Sequence, residues 1–192
     1  MHGPGRIGAQ CMFRACEPFW ERRSRRGTEC RSLKRKYMRA ISYRIAHPDD
    51  VAACVAIRGQ TRENAISEAR LNELGITRES WAQSVRAGEL AGVVAEAGGR
   101  IVGYCFGGAA SGEIAVLALL PAFEGAGLGK TLLARVMDIL RGAGHQRLFL
   151  GCSSDPTVRS YGFYRHLGWQ STGEVDAYGD EVLEYLFSSE PA

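Results

Sequence analysis

From residue 42 onward the apolar positions fall into short, regular runs. Residues 42–46 alternate and predict a strand. Pro48, Asp49 and Asp50 then open a helix, with proline in the first turn and acids where the helix dipole favours them. Val51, Cys54, Val55 and Arg58 follow at helical spacing. Further helical stretches cover residues 67–74 and begin again at Thr77, the latter carrying Trp81 and Val85 and closed by Gly88. Three strands come next, at 91–96, 100–106 and 113–120, with Gly98 and Gly99 forming a hairpin turn between the first two. Residues 127–141 predict a strongly amphipathic helix. Leu128, Leu132, Leu133, Val136, Ile139 and Leu140 line one face; Lys130, Arg135, Asp138 and Arg141 line the other. Gly142 and Gly144 stop it. Residues 147–152 read as a strand, 157–166 as a short helix, and 169–175 with 181–187 as a final hairpin. The order β-α-α-β-β-β-α-β-α-β-β describes an α/β layer fold with a mixed sheet.

Residues 1–37 lack this rhythm. They hold 10 Lys or Arg against 3 Asp or Glu, with RRSRR at 22–26 and KRK at 34–36. Sparse apolar residues without a period cannot offset the entropy of ordering, so the segment is expected to be a basic, disordered extension, with one domain at 38–192. A basic arm for nucleic acid or membrane is one use for such a segment. A transit peptide is another, opposed by Glu17, Glu21 and Glu29. The composition break favours a natural start at Met38.

Charge changes the picture once the extension is set aside. The whole chain is +3, but residues 38–192 carry 14 basic and 18 acidic side chains. A mildly acidic body gives no support for nucleic-acid binding. No apolar run approaches the roughly 18 residues needed to span a bilayer, and no signal-peptide core is present at the start. No membrane or nucleic-acid partner is therefore expected. The 6 cysteines show no C-x-x-C pair, so a metal site is not expected and reduced thiols in a cytoplasmic protein are. Cys105 and Cys152 sit in apolar strand contexts and read as core thiols, not as acyl carriers.

The most informative segment runs from Leu117 to Thr131. A buried strand enters a glycine-rich turn that opens a helix. Free N–H groups at a helix N-terminus, the helix dipole and close backbone approach at glycine together make an anion cradle. Spacing separates the families that use one. A nucleotide P-loop, G-x-x-x-x-G-K-(S/T), ending on Gly129, Lys130 and Thr131 needs glycine at 124, which is Glu124. A dinucleotide fingerprint from Gly125 and Gly127 needs glycine at 130, which is Lys130.

A third pattern fits. Pro121, Gly127 and Gly129 resemble the acetyl-CoA signature of the GNAT superfamily of N-acetyltransferases, (Q/R)-x-x-G-x-(G/A), with Glu124 where Gln or Arg is usual. Phe163, Tyr164, Leu167, Gly168 and Trp169 independently resemble that family's F-Y-x-x-L-G-(F/W) helix-to-strand junction. With the element order, the resemblance spans residues 43–187. It implies a GNAT-like, mostly antiparallel central sheet flanked by helices. It further implies transfer of an acetyl group from acetyl-CoA to a primary amine by direct attack in a ternary complex. The acceptor expected is a small molecule; the alternatives are a protein amine (Lys or N-terminal) or a non-catalytic acyl-CoA-binding module. A homodimer is a common arrangement in the family.

The resemblance also distributes roles. Tyr164 would be the general acid for the departing thiolate, and Glu113, at the start of the strand entering the loop, the general base. Backbone N–H groups of Leu117, Ala118 and Leu119 would hold the pantetheine arm. Glu124, Gly125, Ala126, Gly127, Leu128, Gly129, Lys130 and Thr131 would form the phosphate loop, with Lys130 offsetting Glu124. His145 and His166 are weaker base candidates, read as exposed helix-end residues. On the acceptor side, Asp176, Tyr178 and Asp180 in the final hairpin are expected to attract a cationic amine. Arg58, Arg62 and Trp81 are the alternative, for an anionic or aromatic acceptor.

Overall fold

The computed structural model describes residues 40–188. The basic extension expected over 1–37 lies outside the described residues.

Among the described residues, seven strands form two sheets. Strands β1 (Ile41–Ile45), β2 (Leu90–Ala97), β3 (Arg100–Gly108) and β4 (Ile114–Leu119) make an antiparallel sheet in sequence order. Strands β5 (Arg147–Cys152), β6 (Gln170–Val175) and β7 (Glu181–Leu186) make a second, ordered β5-β7-β6 and also antiparallel. A single parallel bridge, Glu113 to Phe149, joins β4 to β5. The mixed character expected from the sequence rests on that one bridge. Beyond it the sheets part, and the free edge of β4 over residues 114–119 has no neighbouring strand among the described residues.

Three helices connect β1 to β2, matching the three helical stretches read from the sequence, which the condensed order wrote as two: α1 (Val51–Arg58), α2 (Glu68–Glu73) and α3 (Arg78–Arg86). Local chemistry separates the last two. Ser67 accepts from the N–H of Arg70, and Thr77 forms a reciprocal capping box with Ser80, so each short helix has its own start. Helix α4 (Leu128–Gly142) packs on β2 and β3 through buried Leu128, Leu132, Leu133, Val136 and Leu140. Helix α5 (Arg159–His166) precedes β6. Gly98 and Gly99 both take positive φ at the β2–β3 turn, as such hairpins require.

The core against α1 and α3 is aromatic. Trp81 meets Tyr104 and Phe106 edge-on at centroid distances of 5.8 and 5.4 Å. Trp81 is thus a core residue and not an acceptor contact. Outside this cluster, Arg44 on β1 grips Asp50 through two hydrogen bonds of 2.6 and 2.8 Å and reaches Glu96 on β2. Burial of Asp50 works against its charge, but bonds from Arg44 and the His47 N–H outweigh it and lower the carboxyl pKa.

Candidate active site between the two sheets

The cleft that opens where β4 and β5 part is a cavity of about 480 Å³. Its floor is the unpaired edge of β4, including Leu117, Ala118 and Leu119. Its mouth at one end is the glycine loop, and across from β4 stands α5.

The loop follows from its sequence. Pro121–Phe123 form one 3-10 turn, which ends the strand. Gly125 and Gly127 take φ of 76° and 83°, a region that costs an L-residue about 1–2 kcal/mol. Gly127 is the N-cap of α4, and a side chain there would project into open space. Gly129 has a different reason. A Cβ there would lie 3.3 Å from Leu119 and 3.6 Å from Phe163, so its absence lets the first turn of α4 close on the cleft. Gly125, Gly127, Gly129 and Lys130 line the cavity. Leu128 is buried under the helix, and Thr131 donates its hydroxyl back to the Gly127 carbonyl. Neither they nor Ala126 lines the cavity.

Glu124 sits at the cavity's edge with its side chain 16% exposed. One carboxylate oxygen accepts from Nε of Arg62 at 2.9 Å and from Nη1 of Arg159 at 2.8 Å. Lys130 was the expected compensating charge, but the bonds come from the two arginines, on the α1–α2 loop and at the start of α5. The Arg159 backbone N–H donates in turn to Glu63 at 3.0 Å. Arg58, with its guanidinium donating to the Asn64 carbonyl, also lines the cavity, and burial lowers its pKa.

Tyr164 lines the cavity from α5. Its ring packs edge-on against Phe163 and Trp169, at 5.1 and 6.0 Å. Burial first, then the nearby thiols of Cys105 and Cys152, push its phenol pKa upward, so it stays protonated and able to donate. Those two cysteines are buried, and burial raises their own pKa values, which opposes thiolate formation.

The other candidates divide. Glu113 is exposed, is absent from the cavity wall, and its backbone makes the bridge to Phe149. His166 is exposed at the end of α5, whereas His145 is tied through Nε2 to the Ala109 carbonyl at 2.7 Å. In the β6–β7 hairpin only Asp180 lines the cavity. Asp176 backs it: one oxygen accepts from the N–H groups of Tyr178 and Asp180, and the other lies where a Cβ on Gly151 would come within 2.6 Å. Burial and the Asp176 charge raise the Asp180 pKa. Tyr178 is 85% exposed and stands outside the cavity.

Sequence reasoning missed Arg159, Ser160, Phe163 and Gly151 as wall residues. One signal was available, since a carboxylate in an anion-binding loop demands a counter-cation. Among the described residues no three His, Cys, Asp or Glu side chains gather as a metal site, and no helix is long and apolar enough to cross a membrane.

The model of the acetyltransferase (GNAT) family matches residues 53–169. No curated protein sequence matches the chain. Among solved structures it is similar to the PaiA N-acetyltransferase from Thermoplasma acidophilum in complex with coenzyme A. There the identity is 19%, covering 77% of this chain and 99% of that one, with a TM-score of 0.64. It is similar to YncA, a putative acetyltransferase from Salmonella typhimurium with acetyl-CoA, at 21% identity, 79% and 96% coverage and a TM-score of 0.60. It is also similar to the ribosomal-protein-alanine N-acetyltransferase from Brucella melitensis, at 21% identity, 76% and 99% coverage and a TM-score of 0.60. At such identities these likenesses establish the fold.

Proposed function

The chain belongs to the acetyltransferase (GNAT) family, and from that premise we propose that it moves an acetyl group from acetyl-CoA to the primary amine of a small molecule, by direct attack in a ternary complex. The observation that carries the proposal is the free edge of β4 running straight into a glycine-opened helix, with the Tyr164 phenol on the facing helix. Similar structures with coenzyme A or acetyl-CoA support the same ligand here.

Acetyl-CoA supplies the acetyl group already activated as a thioester. The loop at Gly125, Gly127 and Gly129 would receive the diphosphate on backbone N–H groups. The unpaired edge at Leu117, Ala118 and Leu119 would hold the pantetheine arm and polarise the carbonyl. Tyr164 would give its proton to the departing sulfur. Asp180, backed by Asp176, would draw a cationic amine into the cleft. Glu113, outside the cavity wall, would act as base only through an intervening water. The free, buried Cys54, Cys105 and Cys152 suit a reducing compartment such as the cytoplasm. Protein acetylation is the second reading, favoured by the likeness to the Brucella structure.

The test is a thermal-shift comparison of the full chain alone, with acetyl-CoA and with ATP–Mg²⁺, followed by thiol release over a panel of amines and peptides. A ligand at about 100 times its Kd adds roughly 2.7 kcal/mol, or a few degrees for a domain of this size. A rise with acetyl-CoA and turnover with small amines is the expected result. Turnover with peptides alone would establish the second reading, and a rise with ATP alone would overturn both.

A further inference from the structure

Glu124 is the residue the phosphate-loop pattern does not explain. A carboxylate at an anion cradle would ordinarily repel the ligand. Here it is nearly enclosed, and both neighbours bond to the same oxygen. Arg62 uses only Nε, leaving both amino ends of its guanidinium without a partner among the described residues. Arg159 uses one Nη, leaving its other N–H donors likewise open. Both arginines line the cavity together with Gly125 and Gly127. They come from elements 62 and 35 residues away in the chain, so Glu124 is the point at which the two meet. Without an anchor, two long cationic side chains exposed at 62% and 53% would repel each other and sample many rotamers.

We propose that Glu124 is a positioning residue that holds Arg62 and Arg159 as a paired clamp, whose open guanidinium donors grip the diphosphate of acetyl-CoA beside the glycine loop. The proposal rests on the cavity being the acetyl-CoA site. The carboxylate costs one negative charge at the cradle and fixes two positive ones there, so the balance favours an anion. Phosphate is the group the open forks fit, since a guanidinium presents parallel donors to adjacent phosphate oxygens.

The test turns on the sign of one substitution. Glu124→Gln installs a residue usual at this point of the family's loop. If Glu124 only repels the ligand, Glu124→Gln tightens binding. If Glu124 anchors the clamp, the same change weakens it. Calorimetric titration of the full-length chain with CoA should show Kd rising about 5- to 10-fold in Glu124→Gln, the scale of losing oriented charge-assisted hydrogen bonds. Binding of pantetheine, which carries no phosphate, should be unmoved, and KM for acetyl-CoA should rise by more than kcat falls. In the Arg62→Ala, Arg159→Ala background the sign should reverse, because only repulsion remains. Ligand-free melting of every variant separates a folding defect from a binding one, and Arg159→Lys, which keeps the charge but not the fork, supplies a milder second case. Tighter or unchanged CoA binding by Glu124→Gln overturns the proposal and leaves the acetyl-CoA reading intact. Failure of the unmutated protein to bind CoA overturns that reading and the clamp with it.

Discussion

The two ends of the cleft are built on different terms. At the glycine loop, backbone conformation, buried helix packing and a bonded carboxylate all converge on one feature: Gly125 and Gly127 turn the chain, Gly129 admits α4, and Glu124 is held by two arginines. At the β6–β7 hairpin the chain is exposed, and Val175 and Tyr178 show 67% and 85% of their surface. A single carboxyl, Asp180, turns into the cavity there, without a cation partner among the described residues. If the loop end takes the cofactor and the hairpin end the acceptor, as proposed, an unvarying ligand would meet fixed backbone and a variable one would meet side chains on a hairpin, where substitution is tolerated. Tyr164 lines the cavity from α5 and would serve both ends.

The most forceful way to break this comparison is to remove the group at the boundary. Tyr164→Phe keeps the ring contacts with Phe163 and Trp169 and deletes only the hydroxyl. A general acid contributes about 10²-fold or more, so thiol-release assays should show kcat falling by that factor, with CoA affinity within twofold of the original. Turnover at the original rate would mean that the phenol is a wall residue and that proton delivery belongs elsewhere. The deletion should leave stability nearly unchanged, because the hydroxyl has no hydrogen bond within the protein among the described residues.

A matched pair of glycines sharpens the comparison. Gly127 and Gly179 have nearly equal φ, 83° and 87°, and in both a Cβ would meet nothing within 4 Å. Alanine at either position should cost about 1 kcal/mol of stability, the penalty for an L-residue in left-handed backbone. Of the two, only Gly127 lines the cavity. The CoA affinity of Gly127→Ala should fall about tenfold, equivalent to 1.4 kcal/mol, while Gly179→Ala binds CoA as before. Equal losses of affinity would mean that the strain travels through the fold, and the two ends would not be separable.

The same division explains what could be read from the sequence. The glycine loop and the Phe163–Trp169 junction are legible because their chemistry is local: strand, turn and helix start lie within a dozen residues. The caps at Ser67 and Thr77 are local too, and the two short helical stretches they start were legible for the same reason. The clamp around Glu124 was not legible, because its partners are far away in the chain and meet only after β4, α5 and the α1–α2 loop are placed. In the hairpin the acids were plain, but which one faces inward depends on the turn. Asp176 spends an oxygen on the N–H groups of Tyr178 and Asp180, and that turn aims Asp180 at the cleft. Trp81 failed as an acceptor candidate for the opposite reason, since a lone tryptophan on a helix fits a core as readily as a site.

The smallest effect tests whether the hairpin carboxyl, the proposed acceptor contact, is held at a cost. Asp50 and Asp180 are both partly withdrawn from water, but Arg44 and the His47 N–H lower the pKa of Asp50, while burial and Asp176 raise that of Asp180. A carboxyl with a raised pKa binds its proton more tightly folded than unfolded. Between its unfolded and folded pKa values the native state therefore holds more protons, and stability falls as pH rises through that window. Asp50 has the opposite sign, contributing stability at neutral pH that is lost as pH falls through its depressed pKa. Asp180→Asn should accordingly melt slightly higher than the original protein at pH 7 and match it below both pKa values, where the carboxyl is neutral in either state. The same change should raise KM for a cationic amine about 3- to 5-fold, the scale of a part-exposed charge pair, and leave CoA affinity alone. A variant that melts higher and keeps its KM would show a carboxyl strained for no acceptor, and the hairpin would lose its place in the site. A higher KM without the stability gain would place Asp180 at the acceptor and put the origin of its raised pKa in doubt.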